Sequence, residues 1–242
     1  MANPQIVLVT GGNTGLGYEI LKALLQSPTP YTLILSARNP TAATEALTEL
    51  TQAHGKLDVL INNAGASFDR QVESNNLTSE REAFNKTWDT NVTGTHVLTT
   101  SLMPLLLLSL NPRLLFMTSG TSALSETEKS EPEAFARINA SPAAGWPKDE
   151  GVNPVIMYRS VKTGLNMLMT QWWRRLRADG VKVWAVSPGF LATGLAGIGA
   201  ERLKQMGALD PAEGGKFVRD VVEGKRDGDV GKVIRASMVQ PW

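Results

Sequence analysis

Apolar and polar positions along the chain follow two rhythms, short β-branched runs and longer helical stripes. Ile6 to Thr10, IVLVT, is an apolar run of strand type that leads straight into a glycine-rich turn. Beyond the turn, Ile20, Leu21, Leu24 and Leu25 recur at helical spacing until Ser27-Pro28-Thr29-Pro30 stops the pattern. Tyr31 to Ser36, YTLILS, is a second strand-like run, so strand, helix and strand succeed one another as a βαβ unit.

Between Asn39 and Leu57 there is one helical pattern, Thr41 to Ala53, before the next strand, Asp58 to Asn62. A parallel crossover needs roughly a dozen residues, so no further strand fits this interval. Ser79 to Leu110 reads as one long helical region, bent at Asn91 in TNVTGT, where Asn, Thr and Gly all weaken a helix. Arg113 to Thr118 is another buried strand, and Thr121 to Val155 a polar loop insertion with a short helix near Glu131 to Ile138. A strong amphipathic helix, Ile156 to Ala178, precedes a strand at Val181 to Ser187. Leu191 to Gly207 is small and apolar, like a substrate lid; Pro211 to Val222 is a last helix and Gly231 to Val239 a final strand. Alternation of this kind predicts α/β architecture, a doubly wound Rossmann-type parallel sheet in a single domain over residues 1–242.

Composition narrows the function classes. Lys and Arg number 24 against 23 Asp and Glu, so no charge excess recommends nucleic acid or an anionic membrane as partner. The chain has no cysteine, which removes thiolate chemistry and Cys-based metal sites, and His54 and His96 stand without ligand-spaced neighbours, so no metal site is expected. Leu102 to Leu108, the most apolar later segment, is broken by Pro104 and far shorter than the roughly 20 residues that span a bilayer. With no basic leader at the start of the sequence, the expectation is a soluble cytoplasmic protein acting on a small molecule.

The candidate chemistry lies where strands end. In the turn after the first strand, Gly11, Gly15 and Gly17 leave room for a close anion, and a helix opening near Leu16 aims unpaired N–H groups at it. The spacing T-G-x-x-x-G-x-G is two residues longer than the usual dinucleotide fingerprint. Just past the second strand, where such units read the adenosine ribose, stands Arg38 with no acid in reach, which favours a 2′-phosphate and therefore NADP(H). Asn63, Ala64 and Gly65 follow the third run as a backbone suited to lie against a ligand, and Tyr158 and Lys162, four apart, share one helix face.

Taken in order, T-G-x-x-x-G-x-G at Thr10 to Gly17, N-N-A-G at Asn62 to Gly65, Asn91, Ser119, Y-x-x-x-K at Tyr158 to Lys162, and Pro188-Gly189 followed by Thr193 resemble the short-chain dehydrogenase/reductase family. The long interval from Ser119 to Tyr158 is similar to its carbonyl-reductase-like branch, in which a monomer or a dimer is expected. The resemblance implies reduction of a ketone or aldehyde by hydride transfer. Tyr158 would be the general acid, Lys162 would lower its pKa and hold the nicotinamide ribose, Ser119 would orient the carbonyl, and Asn91 would hold the bent helix and a proton-relaying water. The implied cofactor contacts are Gly11, Asn13, Thr14, Gly15, Leu16, Gly17, Arg38, Asn63, Ala64, Gly65, Tyr158, Lys162, Pro188, Gly189, Leu191 and Thr193. Trp146, Phe190 and Met157 are candidates for an apolar pocket wall.

One departure stands out. Relatives carry a third strand and a flanking helix in the interval that is too short here, so the sheet is expected to lack both, with Tyr31 to Ser36 as a poorly covered edge. The helix Thr41 to Ala53 must then lie on the face that the family gives to the helix after its third strand. This leaves an alternative of a different class: a redox-silent protein of the same fold, a binding module or truncated isoform with impaired cofactor binding.

Overall fold

The computed structural model describes residues 4–36, 48, 50–72, 76–131, 133–148 and 155–242. Six parallel strands form one sheet in the order β2-β1-β3-β4-β5-β6. They are β1 (Gln5–Thr10), β2 (Tyr31–Ser36), β3 (Val59–Asn62), β4 (Arg113–Met117), β5 (Lys182–Val186) and β6 (Val233–Ile234). β1 pairs directly with β3 in register Val7 to Val59, so chain order reverses at β1 and opens a crevice above the carboxyl ends of the strands.

The two-residue period of each strand divides the core. Ile6, Leu8, Leu60, Leu114, Phe116, Val183 and Ala185 face one helical layer, α3 (Gly94–Leu106) and α5 (Ile156–Leu176). Val7, Val9, Val59, Ile61, Leu115, Trp184 and Val186 face the other, α1 (Gly15–Leu25) and α7 (Pro211–Val222). Burying such a side chain contributes about 1.5–3 kcal/mol, so the sheet is fixed mainly by its central strands. α7 comes so close to α1 that a Cβ at Gly215 would lie 2.5 Å from the Glu19 carbonyl oxygen. The start of the sheet is tied by Asp58, whose Oδ2 accepts from Ile6 N at 2.9 Å while Lys56 and Ser109 bond the same carboxylate.

Among the described residues the sheet has no strand from the short interval, and β2 is its edge. Unlike β3 and β4, whose residues are all buried, β2 is mostly half-buried and Leu35 is 49% exposed. Of the helix expected from Thr41 to Ala53, residues 50–53 are described and helical, and Leu50 packs in the core layer of α3 and α5, the predicted face. The long helical region divides into α2 (Leu77–Trp88), a π-turn Asp89–Thr93, and α3, with the bend at Asn91. Among its described residues the insertion carries one α-helix, α4 (Glu133–Asn139), and the segment 191–207 contains α6 (Ala200–Gln205).

The final strand is shorter than its apolar pattern suggests. β6 pairs with β5 only at Val233 and Ile234, because the chain turns at Arg235, whose N–H donates to Met238 O at 2.8 Å, and returns antiparallel at Val239. Arg235 is drawn off the sheet by Glu126, to which it is ion-paired, and by the Gly120 carbonyl at 3.0 Å.

Candidate active site

β1 and β3 are laced together where they end. Thr10 Oγ1 accepts from the N–H groups of Asn63 and Ala64, both at 2.9 Å, and Asn63 Nδ2 donates to Thr10 O at 2.9 Å and Gly11 O at 3.2 Å. Gly11 takes φ 63° and Gly15 φ 54°, which a side chain would strain. Gly17 is excluded from carrying a side chain by space: its Cβ would sit 2.2 Å from Gly11 O. Thr14 occupies the N-cap of α1 without a side-chain bond to it, and the first turn contains no acid. The opening N–H groups of α1 therefore face the turn with the positive end of the helix and no competing carboxylate, the donor set an anionic phosphate requires.

The segment after β5 closes over this turn. A Cβ on Gly15 would touch the Thr193 side chain at 3.5 Å, and one on Gly214 of α7 would meet Leu191 at 2.6 Å, Leu16 at 3.0 Å and Pro188 at 3.4 Å. Gly189 adopts φ 109°, and Leu191 bridges to Leu209, so residues 191–209 form a closed flap around Ala192, Leu203 and Ala208. Arg38 lies outside the described residues.

The polar cluster sits beside the turn. Asn91, fully buried in the π-turn, donates through Nδ2 to Ala66 O at 2.7 Å and Thr87 O at 2.8 Å, and its Oδ1 has no partner. That oxygen and Lys162 Nζ flank Gly65, where a Cβ would lie 2.8 Å from the first and 3.4 Å from the second. Lys162 Nζ donates to Met117 O at 2.9 Å, and burial pushes its pKa down to about 7. Ser119, at the end of β4, shares a hydrogen bond with Thr121 Oγ1 at 2.9 Å and lies near enough to the Tyr158 hydroxyl to favour its ionisation. Lys162 Nζ stands 5.5 Å from the centre of the Tyr158 ring.

The tyrosine's electrostatics differ from expectation. Burial raises the Tyr158 pKa and the Asp69 carboxylate adds to the rise, while the nearby Ser119 hydroxyl opposes it. Part of the residue remains open, which limits the size of the rise. Burial also weakens the charge that Lys162 can bring to bear on the phenol.

Asn91, Ser119, Tyr158 and Lys162 thus meet at one sheet edge next to the glycine turn. Met157 is buried, Phe190 half-exposed and Trp146 88% exposed, so Trp146 is no pocket wall here. Arg159 fastens the insertion to α5 through Thr121 O, Ile138 O and Asn139 Oδ1, leaving a cleft on the helix flank away from Tyr158 and Lys162. Sequence reasoning missed Thr10, Asp69 and Gly214. The pair Gly214-Gly215 inside a helical stripe is a readable sign of close approach, whereas Asp69 acts across the fold and leaves no local signature.

Residues 35–130 match the family model described as short chain dehydrogenase. The short-chain dehydrogenase/reductase eupG of Phoma sp is 41% identical over 282 residues, covering 100% of this chain and 99% of its own. The short-chain dehydrogenase/reductase tropE of Talaromyces stipitatus is 38% identical over 274 residues, with 100% and 99% covered. Both alignments are longer than the 242 residues here, so these relatives hold residues that this chain lacks. The crystal structure of NADPH-bound carbonyl reductase from chicken fatty liver superposes with a TM-score of 0.75 at 18% identity, covering 100% of each chain. A strand order reversing at β1, a glycine turn on α1 and whole-length identity to these relatives make this chain an oxidoreductase of the short-chain dehydrogenase/reductase family.

Proposed function

We propose that the chain is an NADP(H)-dependent reductase that converts a ketone or aldehyde to an alcohol. The observation that carries this reading is the gathering of Ser119, Tyr158 and buried Lys162, whose Nζ lies 5.5 Å from the centre of the tyrosine ring, all beside a helix N-terminus left free of side-chain caps. The uncapped turn fits the pyrophosphate of a dinucleotide, and Gly65 offers a surface that a side chain would fill. Gly11, Asn13, Thr14, Gly15, Leu16 and Gly17 would hold the pyrophosphate, and Asn63, Ala64 and Gly65 would lie against the adenosine side. Tyr158 and Lys162 would take the nicotinamide ribose, with Pro188, Gly189, Leu191 and Thr193 at the carboxamide. Arg38, with no acid near it in sequence, would pair with the 2′-phosphate.

When bound, the cofactor supplies the hydride. Everything else falls to this chain's residues. Ser119 donates to the carbonyl oxygen and fixes its orientation. Tyr158, whose pKa is raised, stays protonated at neutral pH and gives its proton to that oxygen as negative charge develops there. Lys162, with a pKa of about 7, exchanges a proton near neutrality, and the unpartnered Asn91 Oδ1 is an acceptor for a water on the way to it. The flap 191–207 would close over the substrate, and the insertion 121–155 would shape its access.

A second reading is favoured by one observation, the half-open β2 edge in a chain shorter than its aligned relatives: the same fold without turnover. Oxidation of NADPH with a panel of aldehydes and ketones separates the two. The reductase reading predicts turnover that Tyr158→Phe abolishes while cofactor-induced thermal stabilisation persists. Stabilisation without turnover by any carbonyl supports the silent binder instead.

A further inference from the structure

α5, the helix that carries Tyr158 and Lys162, opens at Val155-Ile156, and no side chain at its own N-cap accepts from its first N–H groups. The closure comes from far away in sequence. Asp69, in the 3-10 turn Asp69–Gln71 that follows N-N-A-G, accepts from Met157 N through Oδ1 at 2.8 Å and from Tyr158 N through Oδ2 at 3.2 Å. Ser67 Oγ donates to Oδ2 at 2.8 Å and fixes the carboxylate in place.

We propose that Asp69 is a positioning residue for the general acid, holding Tyr158 by its backbone amide and setting a negative charge beside it so that the phenol keeps its proton until a carbonyl oxygen takes it. This rests on the reading of Tyr158 as the acid. The physics follows from the helix end. Uncapped N–H groups and the positive pole of α5 would favour phenolate, and a carboxylate bonded to those same groups offsets that field. The groups facing Tyr158 are the neutral Ser119 hydroxyl from the end of β4, Lys162 one turn along α5, and Asp69 from the turn after β3. Lys162 is committed to the Met117 carbonyl and partly discharged by burial, so the Asp69 carboxylate adds its charge to the rise that burial causes at the phenol. Its effect there is upward.

Asp69→Asn removes the charge and keeps an acceptor for one N–H, whereas Asp69→Ala removes both. The phenolate absorbance of Tyr158 is isolated by subtracting the Tyr158→Phe spectrum at each pH, with far-ultraviolet circular dichroism marking the folded range. In Asp69→Asn the phenolate should form at a pH lower by about half a unit or more. The alkaline limb of carbonyl reduction should move the same way, because the acid is lost earlier. Asp69→Ala should lower the thermal midpoint as well. The absorbance readout needs no turnover, so it stands even where the parent reduces nothing. An unmoved Tyr158 titration in folded Asp69→Asn overturns the proposal and leaves Asp69 a helix cap alone.

Discussion

Gly17→Ala puts a single methyl where the structure has no space for one. Its Cβ would lie 2.2 Å from Gly11 O, 2.6 Å from Asn63 Nδ2 and 2.9 Å from the Gly11 carbonyl carbon, and two of those three atoms are backbone. Moving Asn63 away gives up its bonds to Thr10 O and Gly11 O, about 1 kcal/mol each. Pushing back the Gly11 turn adds an overpacking cost of about 1–3 kcal/mol. The total is about 3–5 kcal/mol, and at about 2–4 °C per kcal/mol for a chain of this size the midpoint should fall by roughly 6–20 °C. Gly228→Ala is the control, since its Cβ meets nothing within 4 Å, and it should stay within about 0.5 kcal/mol of the parent. Urea unfolding gives the stability difference, and the thermal shift with NADPH reads the turn itself. A Gly17→Ala protein that melts within about 2 °C of the parent and gains as much from NADPH would refute the account of this turn.

Three further substitutions probe the rest of the account. Lys162 has its pKa pushed from 10.5 to about 7 by burial, so between those values the unfolded chain binds more protons and stability rises with pH. Lys162→Met should therefore stabilise the ligand-free chain at neutral pH by about 1–3 kcal/mol and flatten that rise in urea melts taken from pH 7 to 10, while ending turnover. Asp58→Ala should cost about 2–4 kcal/mol by stranding Ile6 N, Ser109 and Lys56. Burial alone raises the Asp58 carboxyl, but bonds from Lys56, Ser109 and the Ile6 N–H outweigh it and leave the pKa lowered. Its contribution is thus present above the usual carboxylate range and lost as pH falls through the folded value, so variant and parent should converge in acid. Gly65→Ala should lower the midpoint less than Gly17→Ala, since only the end of the Asn91 side chain, 2.8 Å from the new methyl, must shift, and should depress NADPH oxidation; equal turnover would show that Gly65 serves only the backbone.

β1, β3, β4 and β5 were legible because each is a buried apolar run closed by Gly, Asn or Ser, and the lack of a further strand among the described residues because nineteen residues from Asn39 to Leu57 hold one crossover. The bend at Asn91 was readable from helix-poor residues, and the structure gives it a partner in Ala66. What stayed hidden depends on packing between distant segments. Asp69 caps a helix that begins 87 residues later, and no local pattern announces it. The end of β6 is decided by the pull of Glu126 on Arg235, which an apolar run from Gly231 to Val239 cannot show. The environment of Lys162 was hidden for a similar reason: a Y-x-x-x-K spacing says that the two side chains share a face, and only the fold shows that the ammonium is buried, which lowers its pKa.

The central claim, that a turn on α1 and the Ser119, Tyr158 and Lys162 cluster hold NADP(H) in a sheet with an open edge at β2, is tested most directly by the thermal midpoint against rising NADPH and NADH. A ligand of the native state at about 100 times its Kd adds about 2.7 kcal/mol of stability. The account predicts a clear rise with NADPH and a smaller one with NADH. An unchanged midpoint with both, up to millimolar cofactor, would contradict it.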